Sequence, residues 1–294
     1  MQALQRKNHH EEHQLDLLGI AVPSDRSHPL FKPLYYHFSN PGKMVRYRLA
    51  AADAAKFSIT QSKITNLAAV PELLHNASLI HDDLQDQDKD RRGSKSLWSR
   101  FGADVAICAG DYLVSLAYRS LAEAGVDPTR AFKLTNELIE RVIEGQLIDL
   151  AQEKDQSLSD FQTYRNLSKK KTGPLFAMTF LLPALNLDNA PPTSEVTKIF
   201  DDFALAYQII DDVHDVVRDR SKKGSISGVN VVTVLTNGGK TDGKRHALEI
   251  ARSCIRRVYA AVSAYPFLST SEMLHELGAL EKSILDQSNP GVVK

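Results

Sequence analysis

The sequence predicts a single all-α domain of about ten helices spanning residues 1–294. Three observations carry this. Apolar residues recur at three-and-four spacing through nearly every long segment. Glycine and proline gather in short connectors. Strand-like alternation is nearly missing, with VNVVTVL (229–235) the one short β-branched run.

The elements follow in order. LFKPLYYHF (30–38), MVRYRLAAADAAKF (44–57), LAAVPELLHNASLIHDD (67–83) and VAICAGDYLVSLAYRSLAEAG (105–125) read as amphipathic helices. So do AFKLTNELIERVIEGQLIDLAQE (131–153), FQTYRNLSKKKTGPLFAMTFLLPAL (161–185), EVTKIFDDFALAYQIIDDVHDVV (195–217) and ALEIARSCIRRVYAAVSAY (247–265). The connectors are SNPGK, AGVDP, LDNAPPTS, KGSISG and TNGGKTDGK, none long enough for a domain linker. Residues 1–20, with His9, His10 and His13, read as a flexible, solvated start.

Composition excludes several functions. Zero net charge gives no nucleic-acid footprint. Two cysteines, Cys108 and Cys254, form no disulfide framework and suit a reducing cytoplasm. No apolar run approaches the roughly 20 residues of a membrane span, and no signal-peptide core opens the chain.

The chemistry lies in two acidic clusters. Asp82, Asp83 and Asp86 end one apolar run; Asp211, Asp212 and Asp215 end another at the same D-D-x-x-D spacing. Residues four apart share a helix face, so Asp82 projects with Asp86 and Asp211 with Asp215. Carboxylates this close repel unless a cation joins them, and oxygen-preferring Mg²⁺ is the natural partner, completed by substrate phosphates. One copy alone reads as a solvated helix end; two are hard to reconcile with coincidence. An EF-hand starting at Asp86 fails, with Arg91 where glycine is needed and Leu97 where glutamate is needed. His81-Asp82 lacks the companion histidines of a metal phosphohydrolase.

Cations accompany the clusters. Arg91 and Arg92 follow the first; Lys43 and Arg46 sit in PGKMVR; Lys171 and Thr172 sit in SKKKTGPLF; Gln208 lies a turn before the second cluster. Taken singly, each also reads as surface charge on a solvated face.

Together these segments resemble the trans-isoprenyl diphosphate synthases, or polyprenyl synthetases, from about residue 35 to 225. HNASLIHDDLQDQDKDRRG resembles the first aspartate motif with its Arg-Arg-Gly, FGADVAICAGDYLVSLA the segment after it, YRNLSKKKTGPLF the Lys-Thr motif, YQIIDDVHD the second aspartate motif, and PGKMVR the Gly-Gly-Lys-x-x-Arg-Pro signature. The resemblance implies an isoprenoid-synthase-type bundle of mostly antiparallel helices around a deep cavity, generally a homodimer. It implies head-to-tail condensation of isopentenyl diphosphate with an allylic diphosphate. Asp82, Asp83, Asp86, Asp211, Asp212 and Asp215 would hold three Mg²⁺ ions with bound diphosphate, although not all six need touch metal. Arg91, Lys171, Thr172 and Gln208 would face the allylic diphosphate; Lys43, Arg46, His75 and Arg92 the isopentenyl diphosphate. His75 alone also reads as a satisfied helix histidine.

The chain departs from the family pattern at Pro41 and Tyr47, and more widely in SKKGSISGVNVVTVL. There Lys222 or Lys223 could serve as the first lysine, and a second has no counterpart. Product length in the family is limited by bulk four or five positions before the first motif. Here those positions are Ser78 and Ala77, so the expected product has twenty carbons or more. The competing readings are a terpene cyclase, disfavoured by the second D-D-x-x-D and by PGKMVR, and a weakly active partner subunit, disfavoured by two intact motifs.

Overall fold

The structure, a computed structural model, describes residues 2–40, 42–154, 160–188, 190–222, 230–265 and 268–288, with side chains except at 2–10, 153–154 and 217–222. These residues form thirteen α-helices and one two-stranded ribbon. They group into two compact units, residues 1–133 with 182–188, and residues 134–181 with 189–294.

In the first unit α1 (Gln2–Ala21), α2 (Phe31–Phe38) and α3 (Val45–Ala54) precede α4 (Gln61–Gln85). β1 (Asp90–Arg91), β2 (Ser94–Lys95), α5 (Leu97–Phe101) and α6 (Ala103–Glu123) follow. The core builds around α4 and α6, with Leu67, Val70, Leu73, Ile80, Leu113 and Leu121 buried. A glycine permits their close approach: a Cβ on Gly110 would collide with the His81 imidazole, within any real contact distance. α1 contributes Leu17 and Ala21 to this core.

In the second unit, α7 (Pro128–Lys154, mostly here), α8 (Phe161–Lys171), α9 (Gly173–Ala184) and α10 (Thr193–Lys222) lead to α11 (Val231–Asn237), α12 (Gly243–Ala264) and α13 (Ser271–Ser288). α10 packs along α12, which buries Ala247, Ala251, Cys254, Ile255, Val258 and Val262 on one stripe. Side chains cap three of these helices: Asp160 accepts from Thr163 N–H, Asn230 from Val232 N–H and Asp242 from Arg245 N–H.

Two local details differ from the sequence reading. The β-branched run at 231–235 is helical: the Asn230 cap starts a turn there, and Val231, Val234 and Leu235 reach the core at helical spacing. The Arg-Arg-Gly stretch forms a hairpin, pairing Asp90 with Lys95 and Arg91 with Ser94. Arg92 (φ 52°) and Gly93 (φ 80°) both take left-handed backbone, as a two-residue I′ turn demands. Among the described residues no helix is long and apolar enough to cross a membrane.

Candidate active site

The first motif closes α4. Asp82 and Asp83 occupy its last turn, and Asp86 is the C-cap, its N–H bonding to the Asp82 carbonyl at 2.8 Å. Asp83 is 2 % exposed and accepts Arg91 Nε at 2.8 Å, with a second contact from Arg91 Nη2. Burial raises the Asp83 carboxyl above its ordinary range, and the Arg91 guanidinium opposes that rise. Gln87, at φ 57°, turns the chain out of the helix. The Asp88 carbonyl then accepts Ser96 Oγ at 2.6 Å and Trp98 Nε1 at 2.7 Å, fixing the loop that delivers Arg91.

Arg92 reaches back to Asn40 and Gly42. Its Nη1 donates to the Asn40 carbonyl at 2.7 Å, and Asn40 Nδ2 donates to the Arg92 carbonyl at 3.0 Å. Gly42 (φ 74°) lies under the guanidinium, where a Cβ would stand 2.7 Å from Arg92 Cζ. Next along, Lys43 is exposed, while Arg46 is buried in the first turn of α3. Burial and the nearby Arg46, Arg92 and Arg91 charges hold His75 well below the usual imidazole range. Thus Gly42, Arg46, His75 and the Arg-Arg hairpin, up to fifty residues apart in sequence, gather around three guanidinium groups. A cavity of ≈ 180 Å³ lies beside them, lined by Tyr36, His37, Asn40, Arg91, Arg92 and Lys95 among others.

A buried polar chain supports this cluster, and of its members only Tyr47 was singled out from sequence, as a departure from the family pattern. His37 Nε2 meets Asn76 Oδ1 at 2.9 Å; Asn76 Nδ2 donates to the Glu72 carbonyl at 2.8 Å; Glu72 Oε2 accepts Tyr47 N–H at 3.1 Å. Because the Asn76 amide nitrogen faces Glu72, its oxygen must accept from His37, which fixes the imidazole as the Nε2–H tautomer. Burial pushes His37 down to about 4, so it is neutral at ordinary pH. The sequence signal was faint: polar residues at 72 and 76, four apart inside an apolar helix.

The chain-length candidates separate by face. Ala77 is 2 % exposed and shares the His81 side of α4; Ser78, partly exposed, shares the Asp82 side and donates Oγ to the His75 carbonyl at 2.8 Å. Tyr112 lies 5.7 Å from the His28 ring, and Tyr118 stacks on Phe132 at 5.5 Å.

The second motif sits on α10. Asp212, 7 % exposed, accepts Val231 N–H on Oδ2 at 2.9 Å and Gln208 Nε2 on Oδ1 at 3.0 Å. Its carbonyl accepts Asn230 Nδ2 at 2.8 Å. Burial pushes the carboxyl up to about 6 against these bonds. The Tyr164 phenol is buried beside it, and burial together with the Asp212 charge raises the phenol's pKa. Asp211 and Asp215 are partly exposed on the same helix. Lys171, ending α8, donates to Asp149 Oδ2 at 2.7 Å, and Thr172 is the C-cap. Asp149, Tyr164 and Asn230 were not anticipated; Gly145, one turn before Asp149, was the available clue, since a glycine inside a helix signals close approach. Pro41, Lys223 and the side chain of Lys222 lie outside the described residues.

The donor set suits a hard cation. Among the described residues, neither aspartate motif brings three ligand atoms within 4.8 Å of one another; the one such group is Glu272, His275 and Glu276 on α13. Like charges splay when no cation joins them. In each motif the middle aspartate is turned to protein donors, Asp83 to Arg91 and Asp212 to Val231 and Gln208. The other carboxylates of the two motifs are Asp82, Asp86, Asp211 and Asp215, oxygen donors of the kind Mg²⁺ takes together with phosphate oxygens and water.

An all-α chain with two D-D-x-x-D helices, each neighboured by cationic side chains, fits the class of isoprenoid synthases. The polyprenyl synthetase family model matches residues 27–233, and the chain belongs to that family. It is 30% identical over 196 residues to the geranylgeranyl diphosphate synthase of Saccharolobus solfataricus, covering 65% of this chain and 59% of that one. It is 26% identical over 266 residues to that of Sulfolobus acidocaldarius, covering 87% and 78%. Among solved structures it resembles an isoprenoid synthase family member from Thermotoga neapolitana, with TM-score 0.77, 25% identity, and 92% and 98% of the two chains covered. The geranylgeranyl pyrophosphate synthetase of Geoglobus acetivorans shares the fold, with TM-score 0.79, 20% identity, and 95% and 98% covered.

Proposed function

We propose that the chain is a Mg²⁺-dependent prenyltransferase, joining isopentenyl diphosphate head-to-tail to an allylic diphosphate and releasing pyrophosphate. The product is a trans-polyprenyl diphosphate of twenty carbons or more. The observation that carries this reading is the cluster of Arg92, Arg46 and His75 on the Gly42 turn, a second cationic site beside the first aspartate motif. A terpene cyclase, which takes one diphosphate, has no use for it.

In this reading Asp82, Asp86, Asp211 and Asp215 would hold Mg²⁺, which when bound would supply positive charge against that growing on the departing pyrophosphate. Arg91, Lys171, Thr172 and Gln208 orient the allylic diphosphate, with Asp83 and Asp149 holding Arg91 and Lys171 in place. Lys43, Arg46, His75 and Arg92 fix the other diphosphate so that its double bond meets the allylic carbon. The carbon–oxygen bond of the allylic substrate breaks, the new carbon–carbon bond forms, and the proton lost from the isopentenyl unit passes to pyrophosphate. No strong protein base is needed.

Small Ala77 and Ser78 support chain growth past fifteen carbons, as do relatives named geranylgeranyl diphosphate synthases. The family match from 27 to 233 runs through both units and supports one polyprenyl synthetase domain. We further propose a homodimer working in the cytoplasm. The test is product analysis with purified protein, Mg²⁺, labelled isopentenyl diphosphate, and geranyl or farnesyl diphosphate as primer. Products of twenty carbons or more are expected; nothing beyond farnesyl diphosphate refutes the length, and hydrocarbon released from the allylic substrate alone refutes the reaction.

A further inference from the structure

We propose that Asn230 is a positioning residue of the second aspartate motif, with Asp212 as its receptor inside the protein and not a group directed at metal. The inference rests on the function proposed above. Asn230 uses its whole side chain within the second unit. Its Nδ2 donates to the Asp212 carbonyl at 2.8 Å, and its Oδ1 accepts Val232 N–H at 2.9 Å. The next residue, Val231, donates its N–H to Asp212 Oδ2 at 2.9 Å. Gln208 occupies Oδ1 at 3.0 Å. The start of α11 is therefore bonded to both the main chain and the carboxylate of one residue on α10.

The consequence is geometric. Asp211 and Asp215 lie one residue before and three after Asp212 on one rigid helix. A buried carboxylate gripped by a second helix pins the rotation of α10 about its axis, and so the direction in which its neighbours project. VNVVTVL carries no lysine where the resemblance leads one to expect a second diphosphate contact. In its place stand a side-chain amide and a main-chain N–H aimed at the aspartate motif.

Two arrangements differ in the sign of one measurement. Carboxylates gathered only to bind a cation repel one another without it, so deleting one stabilises the metal-free protein. Deleting a carboxylate that satisfies two buried donors leaves them unpaired and destabilises it.

The experiment uses the full chain in EDTA and then with Mg²⁺ and inorganic pyrophosphate. Asp212→Ala is expected to lower the metal-free melting temperature. Asn230→Ser keeps the helix cap and removes only the donor to Asp212. It is expected to weaken Mg²⁺–pyrophosphate binding by calorimetry, and to raise KM for geranyl diphosphate about tenfold with KM for isopentenyl diphosphate within about twofold. A higher metal-free melting temperature for Asp212→Ala overturns the proposal. So does an Asn230→Ser protein with unaltered pyrophosphate affinity and KM values. If the unaltered protein binds no pyrophosphate with Mg²⁺, the proposed function fails and the positioning role with it; the melting comparison still decides whether Asp212 is an anchor.

Discussion

Gly145 of α7 lies directly against the main chain of Lys171 in α8, where a Cβ would stand 2.8 Å from the Lys170 carbonyl carbon and nearer still to the Lys171 nitrogen. One helical turn further on, Asp149 takes the Lys171 ammonium at 2.7 Å. The glycine sets the helix spacing, and the spacing sets the ion pair.

Gly145→Ala must therefore push α8 away. Its collision is with backbone, which cannot rotate aside, so we expect a stability loss of about 1–3 kcal/mol. Activity should fall by at least about tenfold through the displaced Lys171. Thermal denaturation and steady-state kinetics check both; a variant with unaltered melting and kcat contradicts the role given to this crossing.

If the proposed isopentenyl site is right, Gly42→Ala should act on one substrate only. It places a Cβ under the Arg92 guanidinium and imposes a left-handed φ of 74° on an L-residue. KM for isopentenyl diphosphate should rise by about tenfold or more, with KM for the allylic substrate little altered. Initial rates with each substrate varied in turn give the split, and equal rises in both would dissociate the Gly42 turn from the isopentenyl site.

Product length should respond differently at the two gate positions. Ser78→Phe projects on the Asp82 face and should shorten products to fifteen carbons at modest cost in stability. Ala77→Phe enters a fully buried position and should also cost about 1–3 kcal/mol through overpacking. Chromatography of the products and melting curves separate the two effects.

Asp53 gives a pH prediction for the fold. It is buried at the end of α3, and burial pushes its carboxyl up to about 7 against the Lys56 ammonium at 3.2 Å. A raised carboxyl favours the protonated, folded form. Its stabilising contribution is full below about 4, the unfolded value, and is lost as pH rises towards 7. Asp53→Asn should thus match the unaltered protein near pH 4 and exceed it at pH 8, by on the order of 1–4 kcal/mol. Melting curves across this range test it; no gain at pH 8 would refute it.

The sequence by itself determined the helical class, the two aspartate motifs and the cations that accompany them, because periodicity and short spacings are properties of a single helix. It also supplied the candidate site residues, from Lys43 to Asp215. Tertiary structure alone decided how those residues are used. Arg91 is bonded to Asp83 by a hairpin whose left-handed Arg92 no periodicity reports. Asp212 is held by Val231, nineteen positions along, and α11 is a helix where β-branched residues suggested otherwise. His37, Asn76 and Glu72 become one chain only when α2 and α3 close on α4. These choices rest on buried donors and acceptors that must find partners, and partners distant in sequence are fixed by packing, which a linear pattern does not encode.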